Sequence, residues 1–95
     1  MNFKIKPDSI KRYIQRRGED YLSLKAALSE NNFDHIRHIA HQIKGNAATF
    51  GFEDLGERAA ILEENALRSD SKNLRQDLEW IESWLLRNES LLNIH

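Results

Sequence analysis

The 95-residue chain carries 14 basic and 15 acidic side chains, a formal net charge of −1, so no overall basic field exists to hold a nucleic-acid backbone or an acidic membrane surface. It has no cysteine, which excludes disulfides, thiolate metal sites and thiol chemistry, and its one proline and four glycines suit a helical protein better than an all-β or disordered one. The length fits one compact domain over residues 1–95, too short for a catalytic unit plus a regulatory one. The opening MNFKIKPDSIKRY lacks the apolar run of a signal peptide and no segment approaches the length of a membrane span, so a cytoplasmic location is expected.

Along the chain the apolar residues recur with helical spacing. After Pro7, either Asp8 or Ser9 is suited to cap a helix bearing Ile10, Tyr13 and Ile14, and the pattern resumes with Tyr21, Leu24, Ala27 and Leu28. Gly18 marks a kink or break between the two parts, which leaves room for a short extra N-terminal helix. Asn31 and Asn32 form a polar stop, and a second helix is expected from Phe33 to about Phe50, with Gly51 as its C-terminal cap.

A third helix is expected from about Glu53 to Arg68, built on Leu55, Ala59, Leu62 and Ala66, with Glu53 and Asp54 near its positive N-terminal end. Ser69, Asp70 and Ser71 make the next turn. The last helix carries Leu74, Leu78, Ile81, Trp84 and Leu85, with Trp80 at its flank, and is expected to fray within Asn88 to His95. The Trp80 and Trp84 pair reads as core rather than as a ligand-stacking site. Four amphipathic helices on short polar turns can bury their stripes only against one another, so the fold class is all-α, an antiparallel up-down four-helix bundle.

The second helix holds the chemistry. On a wheel of about 100° per residue, Ile36, Ile39, Ile43, Ala47 and Phe50 fall together as the buried face. His41 falls almost opposite, among Asp34, Arg37, His38, Lys44, Gly45 and Ala48. A glycine inside a helix costs about 1 kcal/mol relative to alanine, so Gly45, with Ala48, reads as clearance for a partner approaching His41. Lys44 lies one turn from His41 and can reach a negative group carried on the ring. An exposed imidazole, a nearby cation and an open approach are what phosphoryl transfer requires: an aligned nucleophile and charge compensation on the moving group's oxygens.

The stretch His41-Gln42-Ile43-Lys44-Gly45, preceded by Ala40 and followed by Asn46-Ala47-Ala48 and Phe50-Gly51, resembles the H-x-(L/I)-K-G signature of histidine-containing phosphotransfer (HPt) domains. The likeness covers most of the chain, through LKAALSENNFDHIRHIAH upstream and GFEDLGERAAILE downstream. It implies that His41 is a phosphoacceptor attacking through Nε2, that Lys44 pairs with the phosphate, and that Gly45 leaves room for a docked receiver domain. It further implies that Glu63, at the family's Gln or Glu position on the following helix, holds the ring's other nitrogen. Glu63 also lies near the edge of the third helix's buried stripe, where it can face His41; the alternative is a surface carboxylate paired with Arg58 or another cation.

The implied function is a stoichiometric phosphocarrier of a two-component phosphorelay, working between receiver-domain aspartates of a response regulator or hybrid sensor kinase. Arg37, His38, Gly45 and Ala48 are then partner-binding residues, and the carrier is expected to act as a monomer. No intrinsic cofactor is expected; Mg²⁺ belongs to the receiver's acidic pocket. With no G-x-x-x-x-G-K-[ST] loop, ATPase and autokinase activities are not expected. Two other classes compete: a helical adaptor that is never phosphorylated, and a weak metal site on His35, His38 and His41. The outer two of those histidines diverge by about 120° around the helix, so three ligands to one ion are disfavoured; the metal alternative is His38 with His41 and an unidentified third ligand for weakly held zinc or nickel, and no metal residue is assigned.

Overall fold

The computed structural model describes residues 5–93. Helix α1 spans Pro7–Ser29, α2 Phe33–Asn46, α3 Glu53–Leu67 and α4 Ser71–Arg87, with short 3₁₀ turns at Ala48–Phe50 and Glu89–Asn93. Each helix packs on the next and α1 closes on α4. Contacts between neighbours run in opposite directions: on α2 and α3, Gly56 lies by Ala47 whereas Glu63 reaches His41. On α1 and α4, Tyr13 and Tyr21 precede Leu28, while Tyr21 bonds Glu82 and Leu28 lies across from Arg75. The four-helix bundle expected from the periodicity is the fold.

Its first helix corrects the reading at two points. Neither Asp8 nor Ser9 is the cap: Lys6 is, with φ −64° and ψ 143°, and it makes no side-chain capping bond because Pro7 at the first helical position already supplies a helical φ and has no N–H to satisfy. Gly18 does not divide α1, which runs unbroken from Pro7 to Ser29, so there is no extra N-terminal helix among the described residues. Tyr13, Ile14, Leu24 and Ala27 on either side of Gly18 are buried on one face, and that continuous stripe outweighs one glycine's cost of about 1 kcal/mol.

The polar stop at Asn31 and Asn32 works as expected: Asn31 takes φ 55°, and the Asn32 side chain accepts a hydrogen bond from His35 N at 3.2 Å to cap α2. Asp70 caps α4 in the same way through Asn73 N at 3.1 Å. Helix α2 stops at Asn46 rather than Phe50. Phe50 therefore leaves the helical face, sits half-buried in the 3₁₀ turn, and stacks on Tyr13 with ring centroids 4.3 Å apart. Gly51 closes the turn at φ 84°, a left-handed conformation that only glycine adopts without strain.

The core runs between the helices through Ile14, Leu24, Ile36, Ile43, Leu62, Leu74 and Trp84, together with Ala40, whose burial the wheel did not assign. Ala40 is buried because α3 packs along α2 so closely that the apolar face of α2 widens by one position. A Cβ on Gly56 would meet the Ala47 Cβ at 3.5 Å, which shows how near the two backbones come. Trp84 is fully buried, edge-on to Phe52 at 5.1 Å, as a core reading requires. Trp80 is half-buried and covered by the Arg58 and Arg87 guanidinium groups at 5.1 and 5.5 Å from its ring.

The C-terminal segment does not fray over its described part. Glu89–Asn93 forms a 3₁₀ turn against α1 and α4, held by Leu91 and Leu92 packing on the core. Residues 94 and 95 lie outside the described residues.

Candidate functional site

The site is built on the α2–α3 pair. Ile36, Ile39, Ala40 and Ile43 hold α2 against the core, and that anchoring turns His41, Lys44 and Gly45 outward. Leu55, Ala59 and Leu62 do the same for α3 and leave Glu63 at the seam. The C-terminal end of α2 is tied to α1 as well: Tyr13 Oη donates to Asn46 Oδ1 at 2.7 Å and Arg17 Nη1 to the same oxygen at 3.3 Å. Asn46 follows Gly45 directly, so these bonds position the glycine's backbone.

Glu63 is the centre of the arrangement. His41 Nδ1 lies 2.9 Å from Glu63 Oε2, and Lys44 Nζ donates to Glu63 Oε1 at 2.8 Å. The Lys44 ammonium holds the Glu63 carboxyl below its ordinary pKa; partial desolvation opposes this and the His41 bond reinforces it. Glu63 is thus an ionised acceptor at neutral pH, and an ionised carboxylate has no proton to give. The proton of the 2.9 Å bond must therefore sit on Nδ1, which leaves the lone pair of a neutral ring on Nε2. The imidazole is 69% exposed whereas the carboxylate is 21% exposed, so the nucleophile is open to a partner and its anchor is partly sheltered.

The residues named from the sequence are distributed as follows. His41, Lys44 and Glu63 form one hydrogen-bonded group. Arg37 and His38 line, with His41 and Glu63, a hollow of about 260 Å³ on the N-terminal side of the imidazole. Gly45 and Ala48 are exposed but do not line that hollow. A Cβ on Gly45 would meet no atom within 4 Å, so nothing inside the molecule requires glycine there. Arg58, the alternative partner of Glu63, instead binds Asp77 at 3.2 Å.

Lys44 was expected to serve a phosphate, and its engagement with Glu63 was missed. The signal was present, since a lysine one turn beyond the histidine can reach the same carboxylate. The three histidines of α2 do not converge: among the described residues no group of three His, Cys, Asp or Glu side chains is disposed to hold a metal ion. No described helix is long and apolar enough to cross a membrane.

The structure is an up-down helical bundle carrying an exposed histidine hydrogen-bonded to a carboxylate of the next helix. The Hpt domain family matches residues 8–93, nearly the whole chain, and the protein belongs to that family. Members are phosphocarriers with a histidine phosphotransfer role in phosphorelays, where they interact with receiver domains. Neither the curated proteins nor the solved structures contain a significant match.

Proposed function

We propose that this chain carries a phosphoryl group on His41 Nε2 between receiver-domain aspartates of a two-component phosphorelay. The observation that carries this reading is the 2.9 Å contact between Nδ1 and the ionised Glu63, because it makes Nε2 the nucleophilic atom. In the transfer the Nε2 lone pair forms the N–P bond while the P–O bond to the receiver's aspartate breaks and that aspartate leaves as a carboxylate. The ring, still bearing its Nδ1 proton, becomes cationic, and Glu63 stabilises that charge. Reversal needs no other group, so the carrier works in either direction.

Gly45 and Ala48 supply clearance for the receiver's backbone, and Arg37 and His38 form the rim on the other side of the imidazole. Docking supplies alignment, which is most of what a phosphoryl transfer asks of a protein. The Mg²⁺ of the reaction comes with the receiver. The Glu63 carboxylate bonded to His41 is occupied by the ring and Lys44, and a hard divalent cation needs several oxygens. The protein acts as a stoichiometric carrier without ATPase or autokinase activity, as a cytoplasmic monomer.

The test is phosphoryl transfer from a phosphorylated receiver to wild type and to His41→Gln. The exposed ring contributes nothing to the core, so the variant retains its helical circular dichroism and accepts no label. Stoichiometric labelling of His41→Gln overturns the assignment; failure of wild type with every receiver domain of its source favours the adaptor or metal reading.

A further inference from the structure

Lys44 is already engaged with a carboxylate, so a second cation beside the His41 ring bears on how an incoming phosphoryl group is met. Lys44 Nζ sits 2.8 Å from Glu63 Oε1 and does not line the hollow beside His41. Arg37 does line it. We infer that Arg37 forms, with His38, a subsite for the phosphoryl oxygens of phosphorylated His41, while Lys44 acts through Glu63. This inference rests on His41 being the phosphoacceptor.

Four observations support it. Side chains on a helix lean toward its N-terminus and cover the preceding turn, so the His41 ring leans over the turn that holds Arg37 and His38. The hollow there, about 260 Å³, has room for several groups of water size at roughly 30 Å³ each, and hence for a phosphoryl group. The Arg37 guanidinium is uncommitted: its ion pair with Asp34 spans 3.9 Å, beyond hydrogen-bond length, and the Asp34 side chain is 95% exposed, so solvent screens the pair. A guanidinium can bind two phosphoryl oxygens at once, which an ammonium cannot do with the same geometry.

The charge of the site agrees. Glu63 also lines the hollow, but Lys44 offsets its charge, so Arg37 supplies the net positive charge beside the His41 ring. His38 Nε2 lies 3.3 Å from the Gln42 amide, which holds the second imidazole at the rim. A phosphoryl dianion in the hollow meets the Arg37 guanidinium and a carboxylate whose charge Lys44 offsets. Arg37 is thus a phosphoryl-binding residue, and Lys44 is a positioning residue for Glu63.

A receiver-independent donor separates this role from docking. Phosphoramidate loses ammonia as the Nε2–P bond forms, so it loads His41 with no partner present. The full chain, with Arg37→Gln, Arg37→Lys, Lys44→Gln and His41→Gln variants, is loaded in this way and the phosphoryl group is titrated by ³¹P NMR. A cation on the oxygens favours the dianion and lowers its pKa. In Arg37→Gln that pKa rises by about half a unit or more, Arg37→Lys falls between it and wild type, and Lys44→Gln moves it less than Arg37→Gln does. Coincident titrations of wild type and Arg37→Gln overturn the inference and leave the phosphoacceptor reading standing. Absence of His41 label in wild type overturns both. Arg37 is half-exposed, so its variants keep the fold, which circular dichroism checks.

Discussion

Two carboxylates on the two sides of α3 are each held by a cation and a second polar group, yet they do different work. Glu63 faces α2, is 21% exposed, and is shared between Lys44 and His41. Asp77 of α4 faces α3, is 3% exposed, and accepts from Arg58 Nη1 at 3.2 Å and Asn65 Nδ2 at 2.7 Å. The difference lies in what the second partner can do. Asn65 is buried and only bonds, so the Asp77 cluster stitches the α3–α4 seam. His41 is exposed and carries a second nitrogen on its open side, so the Glu63 cluster turns the same kind of hydrogen bond into control of a nucleophile.

The largest effect that would break this comparison is on stability. Asp77→Ala leaves Arg58 and the buried Asn65 amide unpaired and costs about 3 kcal/mol; the figure sits at the low end for a broken buried pair because Arg58 retains solvent contact. Urea denaturation measures the loss, and transfer kinetics per folded molecule stay at the wild-type level. Glu63→Gln does the opposite. Its amide oxygen can still accept from Nδ1, but the charge that favours the cationic ring is gone, so transfer slows by about tenfold to a hundredfold. Stability changes by less than about 1 kcal/mol, as for other exposed pairs. A Glu63→Gln protein as unstable as Asp77→Ala, or one with wild-type transfer, would erase the distinction between the two clusters.

A smaller effect sharpens the same contrast at Gly45. Because a Cβ there meets nothing within 4 Å, Gly45→Ala stabilises the helix by up to about 1 kcal/mol. Transfer from a receiver slows, while loading by phosphoramidate keeps its rate, since only a docked partner needs the space. An unchanged receiver rate would remove the clearance role.

The smallest effect is in pH dependence. Lys44 lowers the Glu63 pKa in the folded state, so its stabilising contribution is present above the unfolded carboxyl value and is lost as pH falls through the lower folded value. The Tm difference between wild type and Lys44→Met is therefore largest near neutrality and shrinks below about pH 4.3. A difference that persists undiminished at acid pH would mean that Lys44 stabilises through its stem rather than through Glu63.

Much of this was legible because helical periodicity and capping chemistry are local. The stripe Ile36, Ile39 and Ile43 fixed which side of α2 faces out, and the polar turns at Asn31–Asn32 and Ser69–Ser71 separate real helices, whereas Gly51 closes the 3₁₀ turn after α2 rather than α2 itself. Gly18 misled because its cost is local whereas the burial of α1 on both sides of it is not. Phe50 misled because the wheel assumes a helix that Asn46 ends, after which stacking on Tyr13 takes over. Asp77 could have been noticed as an acid inside the stripe of Leu74, Leu78 and Ile81, but its partners Arg58 and Asn65 lie on another helix.

The sequence by itself determined four amphipathic helices, their order, and a surface with His41, Lys44 and Gly45 on one side of α2, since these follow from spacing along a single helix. Only the tertiary structure decided that Lys44 spends its charge on Glu63, that Arg58 goes to Asp77 instead, and that Arg37 stands at the hollow beside His41. Those outcomes depend on the rotation and axial offset of α3 against α2 and α4. A shift of one residue turns a side chain by about 100° around its helix, and such a small difference selects which cation meets which carboxylate.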